Sequence, residues 1–341
     1  MKLPVIGAHS RDGDVNYKAP RSFPLGPFTK YEKNPILTPN PDNEWECGYL
    51  YNASAIVVDD MVMLLYRAQN RAKVSSVGLA WLEDGINFVR YLEPILKATE
   101  PWESNGGCED PRIVRDPKSK IFIMTYTAYD LNAARLCIAT SYDLFNWKKY
   151  PPFVPSNWHD IAYTWDQKPI IRGEWLKSGA IFVEPSTDGR YYMIWGDSEL
   201  HLAVSDDLIN WQVTGDYNGN VWGKQILNSE TKLIESGPAP IKLDNGKNQW
   251  IFVYNCCTTG GKDIPQDSYT ISQMLVDYDH IRDGPVARLE RPTLKPDQDN
   301  ELNGQVNKVV FCEGIVQFKN KWFLYFGQGD SNLGVAFADV N

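Results

Sequence analysis

The chain is poor in the groups that most often mark a reaction centre. It has four histidines and six cysteines in 341 residues. Cys256 and Cys257 are adjacent, and Cys47, Cys108, Cys137 and Cys312 stand far apart. None of these spacings suits a metal site, so no metal is expected, and His159 and His201 read as structural. Six such cysteines are expected to stay reduced in a cytoplasmic setting, or a periplasmic one if an export signal precedes this sequence. No apolar run is long enough to span a bilayer, so no membrane partner is expected. Basic stripes are missing too. Lys and Arg number 34 against 43 Asp and Glu, and the net charge of −9 excludes nucleic acid as a natural partner. Long stretches with apolar residues at three- and four-residue spacing are also absent, which removes support for an α/β fold.

What is present is repetition. The tags Asp84-Gly-Ile-Asn-Phe88, Asp143-Leu-Phe-Asn-Trp147 and Asp207-Leu-Ile-Asn-Trp211 each follow a short apolar strand. Their steps, about 59 and about 64 residues, are those of a supersecondary unit that must stack on copies of itself. Upstream of the tags a second strand recurs five times: Val62–Arg67, Ile121–Tyr126, Tyr191–Trp195, Trp250–Tyr254 and Trp322–Phe326. Each follows an Asp, Asn, Lys or Gly turn and an earlier apolar strand, the pattern of a β-hairpin. The reading is all-β: one domain over 1–341, a five-bladed β-propeller, with 1–37 as an arm packed on the ring. A β-sandwich with coincidentally similar hairpins is the weaker alternative.

In such a ring the first strand of each blade lines the axis, and its preceding loop faces one mouth. Gly106-Gly-Cys-Glu-Asp-Pro-Arg112 puts Glu109, Asp110 and Arg112 there, with Arg112 able to keep a carboxylate ionised. Other blades contribute Asn52, Arg67, Asp130, Lys177, Asp197, Glu199, Glu235, Glu313 and Asp330. Two carboxyl groups across a scissile glycosidic bond, about 5 Å apart for retention or about 6.5–9.5 Å for inversion, are what glycoside cleavage needs. Asp84, Asp143 and Asp207 repeat with the tag and are expected to cap turns, whereas Asp110, Asp197 and Glu235 do not repeat. The loop tryptophans Trp45, Trp102, Trp158, Trp165 and Trp175 suit stacking on sugar faces, or on a peptide.

Lys30-Tyr-Glu-Lys-Asn-Pro-Ile-Leu37, Asn52-Ala-Ser-Ala55, Leu65-Tyr-Arg67, Gly107-Cys-Glu-Asp-Pro-Arg112 and Gly329-Asp-Ser-Asn-Leu-Gly-Val-Ala336 together resemble glycoside hydrolase family 130. The resemblance implies a five-bladed propeller acting on β-mannosides by hydrolysis or by phosphorolysis. It implies Asp110 as general acid, acting through a hydroxyl of the bound mannose, and Asn52, Arg67 and Asp330 as holders of that sugar. It also implies that phosphorylases carry a Lys-Asp pair and a His-Arg pair where this chain has Lys177-Ser178 and Trp195-Gly-Asp197. Phosphate needs several cationic donors, and these replacements favour water. The expectation is an inverting β-mannosidase with Glu235, Asp197 or Glu199 activating the water. Glu109, Arg112, Asp130, Lys177 and Glu313 join the sugar-binding candidates. No cofactor is expected, and inorganic phosphate would be a co-substrate in the alternative, a β-mannoside phosphorylase giving mannose 1-phosphate. A non-catalytic carbohydrate-binding propeller is the reading from another class. Linkage, chain length and oligomeric state belong to outer loops that no repeat identifies.

Overall fold

A computed structural model describes residues 3–340 apart from 154, 156, 157, 165, 167, 215–220 and 262. It is all-β. The described residues hold one four-residue α-helix, Asp299–Leu302, and three short 3-10 turns beside the strands. None of these helices is long and apolar enough to cross a membrane.

Five antiparallel units follow one another along the chain, each with its second strand between the first and the third. The first comprises Tyr49–Val58, Met61–Gln69, Ser75–Leu82 and Val89–Arg90; the second, Gly107–Arg115, Phe122–Tyr129, Ala134–Ser141 and Lys148–Lys149. A single parallel bridge, Ser75 to Gly107, joins these two. The third comprises Ala180–Ile181, Tyr191–Trp195, His201–Ser205 and Trp211–Val213. In the fourth the first strand is split by Gly237-Pro238 into Leu233–Ser236 and Ile241–Lys242, both pairing with Gln249–Cys257; Tyr269–Asp277 and Ala287–Arg288 follow. The fifth comprises Val310–Phe318, Lys321–Gln328 and Asn332–Asp339, and its fourth strand is Thr29–Lys30 from the N-terminal arm. The arm thus does more than lie across the sheets, because it completes the last one.

The strands are apolar on both faces because each sheet is covered by its neighbours. Separate cores lie between successive units: Met63, Leu79 and Met124 between the first and second, Ile138, Met193 and Trp195 between the second and third. Ile194, Phe182 and Phe252 fill the next interface, and Val253, Ile271 and Leu324 the one after. The fifth unit packs back on the first through Leu64, Tyr66, Phe318 and Tyr325.

The tags behave as read. Asp84 Oδ1 accepts the main-chain N–H groups of Ile86 and Asn87 at 2.8 and 2.9 Å, while Asn87 Nδ2 donates to Oδ2 at 2.7 Å. Asp143 and Asp207 make the same three bonds. Trp147 and Trp211 then close the loop with an indole N–H to the carbonyl of Leu144 and of Leu208, 2.9 Å in each case.

Candidate active site

The site begins with a backbone irregularity repeated in the first strands. In units one, two and five the pairing slips at Asn52, at Asp110 and at Glu313. Such a bulge re-aims the side chain it carries. Asn52 and Asp110 adopt φ of 46° and 50°, sparsely populated for residues other than glycine. Gly107 allows the approach to this strand: its φ is 99°, and a Cβ there would meet the Ser75 carbonyl oxygen at 2.0 Å.

Asp110 is the hub. Its Oδ1 accepts Asn52 Nδ2 at 3.0 Å and Arg67 Nη1 at 2.9 Å, and Lys177 Nζ lies 3.5 Å from Oδ2. Arg67 also donates through Nη2 to Glu109 at 2.5 Å, and its guanidinium lies 4.8 Å over the Tyr51 ring. Glu109 accepts a further bond from Ser75 Oγ. Lys177 Nζ stands 3.3 Å from Glu235, which also accepts Ser178 Oγ at 2.5 Å. One ammonium thus bridges the Asp110 and Glu235 carboxylates.

The carboxyl groups differ in charge state. Burial pushes Asp110 up, but the cations Arg67, Lys177 and Arg112 outweigh it and hold Asp110 well below the usual carboxylate range. Burial raises Glu235 against the pull of Lys177, and raises Asp330 to about 7 against that of Arg67. Without substrate, therefore, Asp110 is ionised while its neighbours compete for protons.

Other expected members are placed differently. Arg112 is 3% exposed, and its N–H groups donate to main-chain carbonyls, so it is turned away from any substrate. The guanidinium that grips the Asp110 and Glu109 carboxylates is Arg67. Glu313 lies behind Arg112 at 3.1 Å, fully buried. Asp130 is outside the cluster, where it accepts two main-chain N–H groups and Arg135, which also holds Glu174. Asp197 is at the edge of the site and ion-paired: Arg172 donates to both oxygens, at 2.8 and 3.2 Å, and Trp175 Nε1 to one at 3.1 Å. That leaves it poorly suited to activating water. Glu199 is half-buried, and its pKa is raised by burial against the pull of Lys224.

The loop tryptophans divide. Trp45 stacks on Tyr66 and donates to the Leu92 carbonyl, while Trp158 is buried against Trp195 and His201. Trp102 packs on the core between units one and two. Trp175 reaches the site, but Arg172 covers it at 4.3 Å. Trp165 lies outside the described residues. The six cysteines are free thiols, five of them buried. A cleft of about 1040 Å³ between Lys30, Arg291 and Lys295 lies elsewhere, so the site is marked by its chemistry.

Sequence reasoning missed Ser178 as the partner of Glu235, and Asp160 and Arg172 entirely. Ser178 had a signal, since it occupies the repeat position of Asn52 and Asp110. Arg172 had none, because it comes from a hairpin, His159–Tyr163 with Pro169–Gly173, that stands outside the five units.

The comparisons with known proteins agree in direction. The model of glycoside hydrolase family 130, described as beta-1,4-mannooligosaccharide phosphorylase, matches residues 28–341. A beta-1,2-mannobiose phosphorylase of Thermoanaerobacter sp. (strain X514) is 31% identical over 91% of this chain and 96% of its own. A 1,2-beta-oligomannan phosphorylase of the same strain is 29% identical over 90% and 95%. Among solved structures, one from work reporting that the GH130 family of mannoside phosphorylases contains glycoside hydrolases that target beta-1,2 mannosidic linkages in Candida mannan superposes with a TM-score of 0.81. It is 28% identical over 95% of this chain and 99% of its own. The chain belongs to glycoside hydrolase family 130.

Proposed function

We propose that this protein cleaves β-mannosides with inversion and passes the mannosyl group to inorganic phosphate, and that its five units close into a five-bladed propeller with the site at one mouth. The return of the fifth unit onto the first supports the ring. The observation that carries the chemistry is the partly buried Lys177 ammonium between Asp110 and Glu235. Asn52, Arg67 and Asp330 would hold the mannose. The bond from C1 to the leaving sugar breaks as a bond from C1 to a phosphate oxygen forms. Asp110 takes up a proton as phosphate binds and gives it, through a sugar hydroxyl, to the leaving oxygen, while the mannosyl phosphate formed releases one proton in return. Lys177 links the two halves of the reaction. Phosphate bound to Lys177 takes up one of the positive charges that keep Asp110 ionised, and so raises its affinity for the proton it must deliver. The family model and the phosphorylase relatives support phosphate over the water expected from the sequence.

Hydrolysis is the second reading, and one observation favours it. Asp197 neutralises Arg172, while Glu235, Glu109 and Asp330 crowd Lys177 with negative or proton-sharing groups. A dianion enters such a lining at a cost, whereas Glu235 with Ser178 could activate water. Incubation with β-1,2-, β-1,3- and β-1,4-mannobiose, with and without phosphate, decides. Mannose 1-phosphate formed only with phosphate supports the first reading, and free mannose formed without phosphate overturns it in favour of the second. A protein that binds mannosides but turns none over, with D110N unchanged in binding, would overturn both.

A further inference from the structure

Both readings place the attacking group beside Lys177 and its partner Glu235 at a fixed distance from Asp110, yet Asp110 and Glu235 lie on units two and four, and no strand pairing joins those units among the described residues. One side chain does join them. Arg112 Nη1 donates to the carbonyl of Asp110 at 3.0 Å, Nη2 to that of Ser236 at 2.7 Å and Nε to that of Gly237 at 2.9 Å. The guanidinium therefore ties the backbone of one carboxylate to the two residues that follow the other. Glu313, from the bulge of unit five, lies 3.1 Å from Nη2, though neither of its oxygens accepts a hydrogen bond within the described structure. Arg112 is thus enclosed by three units and shielded from ligand. Its direct effect on the Asp110 charge is smaller than those of Arg67 and Lys177.

We propose that Arg112 is a positioning residue whose planar fork sets the distance between Asp110 and the Glu235–Lys177 pair. This rests on the reading of those groups as the leaving-side acid and the acceptor side of the site. A guanidinium presents donors in a rigid plane and can hold three carbonyls in fixed directions, which an ammonium on a flexible stem cannot. Unit four is where such a tie is needed, because Gly237-Pro238 interrupts its first strand two residues after Glu235. Gly237 itself is confined, since a Cβ there would meet the Val253 carbonyl oxygen at 2.4 Å.

The test is R112K, read by steady-state kinetics on the β-mannobiose that the wild type turns over and by a crystal structure. The expected result is a folded protein with KM within about twofold of wild type and kcat lowered on the order of 10²-fold, the cost of a misplacement near 1 Å. The Asp110–Glu235 separation should change visibly in the crystal. Folded R112K with wild-type kcat, with the loss confined to KM, or with an unchanged separation overturns the proposal. If R112K does not fold, G237A reads the same quantity from the other side, because Arg112 stays and its acceptor carbonyls must move. A wild type without turnover on any β-mannobiose overturns the functional reading instead, and the crystallographic separation still decides the role of Arg112.

Discussion

Two arginines in this molecule each sit between two buried carboxylates, and their surroundings differ. Arg67 stands on a nine-residue strand paired on both sides, and holds Glu109 and Asp110 of another nine-residue strand. Arg172 holds Asp160 and Asp197 from a five-residue strand whose only pairing partner among the described residues is five residues long and whose residues Ile170 and Ile171 are exposed. An isolated two-stranded hairpin is marginal in water. The first fork is held by the fold, whereas the second helps to hold its own hairpin. A buried ion pair adds little net stability when intact and costs several kcal/mol when broken, so the same chemistry gives rigidity in one place and a removable latch in the other.

The largest expected effect falls on the rigid fork. D110N should lower kcat by about 10²–10⁴-fold, the range for loss of a general acid, and should lower the melting temperature, because the ion pairs with Arg67 and Lys177 are lost. D160N, at the other fork, should leave kcat within about tenfold; an equal loss in both variants would end the distinction. Next comes the latch. R172A should make the 159–173 hairpin cleavable by limited proteolysis while the remainder of the chain resists, and hairpin protection equal to wild type would contradict the latch.

A smaller effect concerns pH. Asp330, beside the rigid fork, is raised to about 7 by burial, so the folded protein binds its proton more tightly than the unfolded chain does. Stability is then lost as pH rises from about 4 to about 7, where Asp330 must ionise inside the site. D330N should melt a few degrees higher than wild type at pH 8 and equal it near pH 4, and a constant difference across that span would refute the assignment. The smallest effect is expected at a third fork, Arg135 with Asp130 and Glu174, which is exposed on its Glu174 side. D130N should change stability by about 0–1 kcal/mol, as for pairs near the surface, and should leave kcat within about twofold.

How much of this was legible beforehand depended on whether a residue obeyed the repeat. The five hairpins and the capping role of Asp84, Asp143 and Asp207 were legible because strand, turn and tag recur at fixed offsets. Asp110, Asn52, Arg67 and Lys177 were legible as site candidates because they stand at corresponding strand starts and ends. The role of Arg112 was not, since sequence shows that a charge is near the axis but not that main-chain carbonyls from another unit surround it. Asp197 read as a free acid because its partner Arg172 comes from an insertion with no counterpart in the other units. Asp130 read as a site residue from its place after a second strand, yet two local main-chain N–H groups and Arg135 hold it in its own loop.

The Asp-x-x-Asn-aromatic loops satisfy their hydrogen bonds almost wholly from within, down to the indole that closes two of them. A segment that asks nothing of its neighbours for its shape is portable. Duplicating a gene segment that carries one such corner delivers a ready-made joint wherever it lands, and the descendants can then diverge elsewhere without losing the bend. Three copies in this chain share the same bonding, while Asp110 and Glu235 at the site do not repeat. The site residues can therefore change without loosening the corners.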